Sequence, residues 1–181
     1  MEYQVIYADP PWDYGGKKQH TDKKAVKSAD GHYNTMKLKE LKKMDIQSIC
    51  HTNALLFLWT SSPHLEQAIE LMKAWGFEYK TIAFVWYKQK TNPSFYTMSS
   101  CEICIVGKRG VFPTPRGSRN EKQFLSEMRQ KHSQKPEEIR SRIERMFPAQ
   151  KKIELFAREK KEGWDVYGNE VPDSIEIPQK P

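Results

Sequence analysis

Short runs of β-branched and aromatic residues alternate along the chain with segments whose apolar residues recur at helical spacing. The runs predict strands, because such side chains suit the pleated, buried surface of a sheet. The predicted strands are Tyr3–Ala8, Ala54–Trp59, Thr81–Tyr87, Glu102–Val106, Lys152–Phe156 and Trp164–Tyr167. Since strands and helices alternate, we expect an α/β fold with a mostly parallel sheet covered by helices on both faces.

Three segments between the strands carry the helical pattern. They are Lys37–Ser48, Pro63–Trp75 and Lys135–Phe147. Before the second segment, Ser61 or Ser62 is available as an N-cap, and Gly76 follows it as a stop. Near the start of the third, Pro136 is followed by two glutamates, which suit the first turn of a helix.

Two stretches predict neither helix nor strand, and both are strongly basic. They are the loops at about 15–33 and 107–134. Residues 17–43 contain nine lysines and three acidic residues, and residues 107–135 contain eight basic and two acidic residues, whereas the whole chain has a net charge of only +7. The positive charge is therefore concentrated in loops that follow strands, where open α/β sheets place ligand sites. This distribution favours a nucleic acid partner.

Length and composition limit the class of protein. A chain of 181 residues with 38% hydrophobic residues fits one domain, 1–181, with one substantial core. No stretch approaches the ~20 apolar residues of a membrane span, and the N-terminus enters a strand without the features of a signal peptide. We therefore expect a cytoplasmic protein with no membrane partner. The proline-rich tail, 171–181, is expected to lie over the surface or to fray.

The cysteines favour core positions over chemistry. Cys50, Cys101 and Cys104 are too few for a disulfide framework, and their number is odd. Cys101 and Cys104 have the spacing of a zinc half-site or redox pair, but no second pair or Cys/His cluster completes a zinc site. Because this pair also lies in an apolar predicted strand, we expect buried thiols and no metal.

The most specific chemical feature is Asp9-Pro10-Pro11-Trp12, directly after the first predicted strand. Two prolines cannot continue a β-ladder, so they are expected to hold an extended backbone whose carbonyls point outward unpaired. Asp9 and the Pro10 carbonyl could then accept both N–H groups of a nucleobase amine while Trp12 stacks on the ring. Such acceptors favour the charge that develops on an attacking nitrogen. The alternative is a strand-ending turn with a hydrophobic tryptophan.

The tetrad, within VIYADPPWDY, resembles motif IV of amino-group DNA and RNA methyltransferases. Further blocks follow in the order of one family: HYNTM, LLFLWT, WGFE, AFVWYK, CEICIVGKRG, HSQKPEEI, KIELFAR and GNE. The chain thus resembles the MT-A seventy-kilodalton-subunit family of adenine-N6 methyltransferases. The resemblance implies a Rossmann-like fold that binds S-adenosylmethionine (SAM), in permuted order, with the catalytic strand first and the cofactor strand last.

The resemblance also implies roles for individual residues. It makes the tetrad Asp9, Pro10, Pro11 and Trp12 the catalytic motif. Within it, Asp9 is the catalytic acceptor, near the cofactor amino group as well, and Pro10 and Trp12 shape the adenine pocket. On the cofactor side, Lys135 corresponds to the lysine that pairs with the SAM carboxylate. The other implied cofactor residues are Phe156 on the cofactor strand, Arg158 near the ribose, and the ribose pair Asn169 and Glu170. Bottom-up, Lys135 could equally be a solvated lysine at a helix entry.

Four residues correspond to positions close to the substrate. They are Tyr33, Trp59, Trp86 and Glu102. Tyr33 matches an aromatic residue of a mobile loop. For Trp59 and Trp86, burial in the core is an equally good interpretation, and Glu102 could simply be an exposed residue at the start of a strand.

The chain departs from the family pattern at two places. A glycine-rich turn usually follows the cofactor strand in related DNA enzymes, but here Arg158 is followed by Glu159 and two lysines. Only eight residues precede Asp9, so the upstream segment that holds the cofactor adenine is missing, or a second subunit or the tail supplies it. A homodimer or a partner subunit is therefore a fair hypothesis.

The expected substrate is adenine in DNA, because compact members of the family resemble bacterial or phage DNA methyltransferases; the cell would then be a bacterium or a phage-infected host. The target base must be flipped out or single-stranded. Without a separate recognition module, limited sequence specificity is expected unless residues 88–135 form a small recognition region. The alternatives are RNA adenosine, the N4 amine of cytosine, and a catalytically inactive nucleic-acid-binding relative.

Overall fold

A computed structural model describes residues 2–13, 35–94, 96–128, 134–168 and 170–180. Within these ranges the strands are β1 Tyr3–Ala8, β2 Cys50–Thr60, β3 Glu78–Pro93, β4 Met98–Arg109, β5 Phe124–Ser126, β6 Lys152–Ala157 and β7 Asp165–Gly168. They form one sheet in the order β5-β3-β4-β2-β1-β6-β7. Only β4 runs antiparallel to its neighbours. This confirms the predicted Rossmann-like fold, in which the strand before Asp9 comes first in the chain and pairs directly with β6.

The α-helices of the described residues are shorter than predicted. They are α1 Leu38–Lys43, α2 Leu65–Ala74 and α3 Glu137–Met146. The predicted helix Lys37–Ser48 is wrong in its second half, where Met44 is extended and a 3-10 turn covers Ile46–Ile49. Met44 forms an antiparallel bridge with Gln179, and this pairing with the distant tail replaces the bonds of a continuous helix.

The ends of α2 show one correct and one incorrect prediction. Ser61 precedes a 3-10 turn, Ser62–His64, and its hydroxyl lies 2.8 Å from His64 Nδ1 instead of capping the backbone. Gly76 ends the helix as predicted, with a φ of +83°. This left-handed conformation is readily adopted only by glycine.

The hairpin of β3 and β4 is longer than the sequence pattern predicts. Its outer part consists mainly of exposed polar residues, so the alternation that marks half-buried strands is absent there. The prediction that 107–134 is all loop is also wrong, since β4 continues to Arg109 and β5 forms at Phe124–Ser126. Three residues are too few for periodicity to reveal a strand, and β5 exists through its parallel pairing with β3.

Each face of the sheet has its own apolar cluster. One cluster joins Ile6 and Leu56 to α1 and α2, and the other joins Tyr7 and Phe57 to α3. The tail packs on the surface of the domain, which is one of the two arrangements expected for it, the other being a frayed end. Its Ile177 belongs to the first cluster. No helix among the described residues has the length and apolar character needed to span a membrane.

The cysteines occupy the expected kind of position only in part. Cys50 and Cys104 are buried, whereas Cys101 is partly exposed. On an extended strand, residues three apart point to opposite faces, so Cys101 and Cys104 cannot act as a chelating pair. Among the described residues, no group of three His, Cys, Asp or Glu side chains is arranged to hold a metal ion.

Gly110 and Gly163 provide a matched test of backbone crowding. Both have left-handed φ angles, +63° and +80°. A Cβ at Gly110 would also press on the Thr52 carbonyl oxygen, whereas at Gly163 it would meet no atom of the described residues within 4 Å. We expect Gly110→Ala to lower the free energy of unfolding by about 2–3 kcal/mol and Gly163→Ala by about 1 kcal/mol. Urea denaturation measures both, and equal losses would contradict the role of the Thr52 contact.

Candidate active site

The carboxyl ends of the parallel strands bring most of the predicted site residues to one edge of the sheet. Asp9 follows β1, Arg158 follows β6 and Glu170 lies just beyond β7. Because β4 runs in the opposite direction, Glu102 near its start reaches the same edge. Lys135 joins them from the segment that precedes α3. Open α/β sheets bind their ligands at this edge.

Four side chains of alternating charge form a continuous chain of contacts there. Lys135 Nζ donates to Asp9 Oδ2 at 2.7 Å and lies 3.3 Å from Glu102 Oε2. Lys88 Nζ in turn donates to Glu102 Oε1 at 3.2 Å. The Lys135 side chain is only 10% exposed, so it is not the solvated lysine of the alternative interpretation. Each buried charge has an opposite partner, which offsets the free-energy cost of removing it from water.

The same contacts set the protonation of the site. Burial raises the pKa of Asp9 above its ordinary value of 3.8, and the Lys135 ammonium opposes this only in part. Burial disfavours the charged form of Lys135 as well, but Asp9 and Glu102 outweigh it and raise the Lys135 pKa. For Glu102, the two lysines outweigh burial and lower the pKa. Lys135 is therefore the group that helps most to keep Asp9 ionised.

The two prolines do not leave their carbonyls unpaired, which corrects the prediction from the tetrad. The Pro10 carbonyl accepts the Trp12 N–H at 2.8 Å, and the Pro11 carbonyl accepts the Met36 N–H at 2.8 Å. The chain turns tightly after Pro10, and the segment before α1 pairs with it. A carbonyl oxygen has two lone pairs, so the Pro10 oxygen keeps the capacity to accept one more N–H group.

Trp12 forms a wall of the site and does not present an open ring. It is 7% exposed, and its indole N–H donates to the Trp59 carbonyl at 3.1 Å. One side of its ring stacks on His64, with ring centroids 5.9 Å apart. The prediction that Trp12 shapes a pocket fits this position. The prediction that it stacks on the target base requires a different arrangement of the ring.

Trp59 and Trp86 lie in the core beneath the site, with exposures of 0% and 2%. Trp59 donates its indole N–H to the Tyr7 hydroxyl at 2.7 Å, and Lys135 Nζ lies 5.6 Å from the centre of its ring. Trp86 donates to the Glu127 carbonyl at 2.8 Å. Neither ring offers a face to a substrate, because both side chains are buried. Trp59 supports Lys135 through a cation–π contact, and Trp86 packs edge-on against Trp59.

A cleft on the other side of Asp9 is lined by the described residues of the cofactor prediction, except Glu170. Its lining includes Asp9, Lys135, Phe156 and Arg158. Phe156 has a φ of +63°, a strained value for a phenylalanine, and the pairing of β6 with β7 shifts register there. Arg158 Nη1 lies 4.0 Å from Glu170 Oε1. The strand is therefore irregular at Phe156, just before Arg158.

Two of the predicted site residues, Tyr33 and Asn169, lie outside the described residues. The basic loop at 15–33 lies outside them as well. The structure neither adds to nor removes from the expectations for these positions.

Sequence reasoning missed a buried ion pair at the floor of the cleft. Arg140 Nη2 on α3 lies 3.0 Å from Glu154 Oε2 on β6. Burial raises the pKa of Glu154 to about 7, although Arg140 opposes the shift. Arg140 Nε and Nη1 make no hydrogen bond within the described part of the chain. Arg140 Nη1 also lies 3.6 Å from Glu137 Oε2. Arg140 sits in a run of charged residues, so the sequence gave no signal for this ion pair.

Comparison with known proteins adds independent support. The MT-A70 family model matches residues 3–170. The chain is 50% identical to the Type II methyltransferase M.MunI of a Mycoplasma species, over 98% of this chain and 82% of that protein. It is 31% identical to a putative N(6)-adenosine-methyltransferase MT-A70-like protein of Medicago truncatula, over 94% of this chain and 26% of the relative. For the human N(6)-adenosine-methyltransferase catalytic subunit METTL3, the identity is 28%, over 97% of this chain and 29% of the relative.

The matched residues run from the beginning of β1 to the residue pair after β7, and so include the tetrad, the Lys135 segment and the cofactor strand. The chain spans about a quarter of the length of the plant and human relatives but most of the Mycoplasma protein. These matches confirm the resemblance indicated by the motifs: the chain belongs to the MT-A70 family of methyltransferases.

Proposed function

We propose that this methyltransferase transfers a methyl group from SAM to the N6 amine of adenine in DNA. The observation that carries the proposal is the position of Asp9, a partly buried carboxylate at the carboxyl edge of β1, paired with Lys135 and followed by two prolines. The names of the plant and human relatives support adenosine N6 as the acceptor. The type II designation of the Mycoplasma relative supports DNA.

The site suits the chemistry of an aromatic amine. The lone pair of such an amine is delocalised into the ring, so the nitrogen is a poor nucleophile. Asp9 can accept one N–H of the amine and the free lone pair of the Pro10 carbonyl can accept the other. Both acceptors stabilise the positive charge that develops on the nitrogen as it attacks. SAM, when bound, supplies the electrophilic methyl group.

The residues around the cleft fit SAM. Lys135 suits its carboxylate, since an ammonium group has three donors and Asp9 and Glu102 use two. Arg140 lines the same cleft and adds positive charge beside Lys135. Arg158 and Glu170 lie beyond the neighbouring strands, where ribose hydroxyls are held in dinucleotide-binding folds.

The test is a product analysis with matched substrates. The purified protein is incubated with labelled SAM and with single-stranded DNA, duplex DNA and RNA of one sequence, and the digested nucleosides are separated. N6-methyladenine from DNA is the expected result. N4-methylcytosine, or N6-methyladenosine from RNA alone, would contradict the proposed substrate.

The same assay separates the proposal from an inactive relative. A protein that binds SAM but gives no product on any substrate would indicate a required partner subunit, consistent with the hypothesis of a dimer. A protein that binds nucleic acid but not SAM would contradict the proposal and assign a binding function.

A further inference from the structure

The hairpin of β3 and β4 continues past the active site as a two-stranded ribbon, of which residues 88–94 and 96–101 are described. β5 pairs with β3 only as far as Tyr87, and β2 pairs with β4 only from Ile103 onward. Beyond those points the ribbon has no neighbouring strand among the described residues, and its two strands pair at Asn92–Ser99 and Pro93–Met98. At ~3.3 Å per residue, the ribbon extends roughly 10 Å beyond Cys101.

The ribbon begins at the active site and bends there. Between the pairs Tyr87–Cys101 and Asn92–Ser99, β3 contains more residues than β4, and Gln89 within this bulge has a φ of +56°. Bulges of this kind redirect a strand and are common beside active sites. Because Lys88 and Glu102 at the base of the ribbon belong to the Asp9 network, the ribbon rises directly from the substrate side of the site.

The exposed side chains of the ribbon suit a polar, anionic partner. Lys90, Thr91 and Asn92 are exposed on one strand, and Met98 is exposed on the other. Residues 88–101 contain no acidic residue, and of their two lysines Lys90 is exposed whereas Lys88 is buried against Glu102. Tyr96 near the tip is fully exposed. An isolated two-stranded ribbon is marginally stable in water, and its unpaired edges invite unwanted pairing. A ribbon kept in this form beside a catalytic site therefore indicates a binding surface.

We propose that the ribbon enters the major groove of duplex DNA beside the target adenine and reads the neighbouring base pairs. The major groove is about 12 Å wide and about 8.5 Å deep, and it admits a two-stranded ribbon. The length of roughly 10 Å by which the ribbon extends beyond Cys101 is enough to reach the floor of the groove. Asparagine can bond adenine at two atoms, lysine can bond guanine, and threonine and methionine methyl groups can contact the thymine methyl. The absence of acidic residues avoids repulsion by the phosphates.

This inference rests on the proposed function and adds the element that selects the sequence around the target. From the sequence, limited sequence specificity is expected unless residues 88–135 form a small recognition region. The ribbon lies within that range and would supply such a region. The observations favour DNA over a second copy of the chain as the occupant, because the ribbon's base lies in the substrate site.

The test compares Asn92→Ala and Lys90→Ala with the wild-type protein. Lys73→Ala, an exposed lysine on α2, is the charge-matched control. Initial rates are measured on a pool of duplex oligonucleotides with one target adenine and randomised flanks, and on a single-stranded oligonucleotide, which has no major groove. We expect each ribbon variant to lower the ratio of rates on preferred and mismatched duplexes by about tenfold at one flanking position. Most of the loss is confined to duplex substrates, and Lys73→Ala keeps the wild-type preference.

Several outcomes overturn the proposal. A wild-type enzyme without sequence preference contradicts it, as do ribbon variants with an unchanged preference. An equal loss on duplex and single-stranded DNA would assign a structural role to the ribbon. A Tyr96→Ser variant that converts a dimer into a monomer in ultracentrifugation, with sequence preference unchanged, would assign the ribbon to a second copy. If the wild-type protein forms no N6-methyladenine, both the proposed function and the ribbon proposal fail. If it forms N6-methyladenine but the ribbon variants keep the wild-type sequence preference, only the ribbon proposal is refuted.

Discussion

Asp9→Asn is expected to lower the rate of methyl transfer by at least about 1000-fold, the upper range for loss of one well-placed electrostatic contact. Asparagine keeps the shape of the side chain, so Lys135 can still be bonded by the amide oxygen and by Glu102. It removes the negative charge that stabilises the developing charge on the attacking nitrogen. Single-turnover methyl transfer at saturating SAM measures the effect, and DNA affinity should remain close to that of the wild-type protein.

The matched control for this variant is Glu66→Gln. Glu66 is an exposed residue in the first turn of α2, and it undergoes the same exchange of a carboxylate for an amide. It should keep the wild-type rate. An Asp9→Asn protein within tenfold of the wild-type rate would contradict the catalytic role. A folded Asp9→Asn protein that binds neither SAM nor DNA would instead assign Asp9 to binding.

Lys135→Met is expected to lower kcat/KM for SAM by about 100-fold, in the range of a lost charge-assisted hydrogen bond. It should also change the pH dependence of the rate. Burial raises the pKa of Asp9, and Lys135 is the strongest influence that lowers it. Without the ammonium the pKa of Asp9 rises further, so ionised Asp9 is lost at a higher pH. The acidic limb of the pH–rate profile therefore moves to higher pH.

Lys135→Arg is the control for the effect of charge. Arginine keeps the positive charge, so the acidic limb should stay closer to its wild-type position even where the changed geometry weakens SAM binding. Calorimetric titration with SAM separates the two effects. An acidic limb that is identical in Lys135→Met and the wild-type protein would show that Lys135 does not control the ionisation of Asp9.

The sequence reveals β1 and β6 well because both are buried on two faces and so appear as continuous apolar runs. The predicted bounds of β1, Tyr3–Ala8, agree with the structure, and those of β6 differ by one residue. The predicted helix that begins at Lys37 is wrong from Met44 onward, because a distant contact decides the structure there. Its pattern is helical, but a partner in the distant tail supplies other backbone bonds, and no local pattern contains that information.

Some residues of the candidate site could likewise be found from the sequence, whereas others could not. The tetrad, Lys135 and Glu102 were found through motifs, since the chemistry of a nucleobase amine needs particular residue types. Lys88 and Arg140 were missed. Lys88 shares the alternation of Trp86 on β3, a weak signal, and Arg140 is one of several charged residues on α3. Their importance comes from partners on other elements, Glu102 and Glu154, and from burial.

The sequence by itself determined the family, the order of the strands in the chain and the residue types of the candidate site, because these depend on local patterns and motif spacing. Only the tertiary structure decided how those residues act. It joins Lys135 to Asp9 across 126 positions of the chain and removes the Asp9 carboxylate partly from water, which raises its pKa. It also places Trp59 and Trp86 under the site and projects the ribbon beside it. Burial and contact between distant residues arise only when the sheet is assembled.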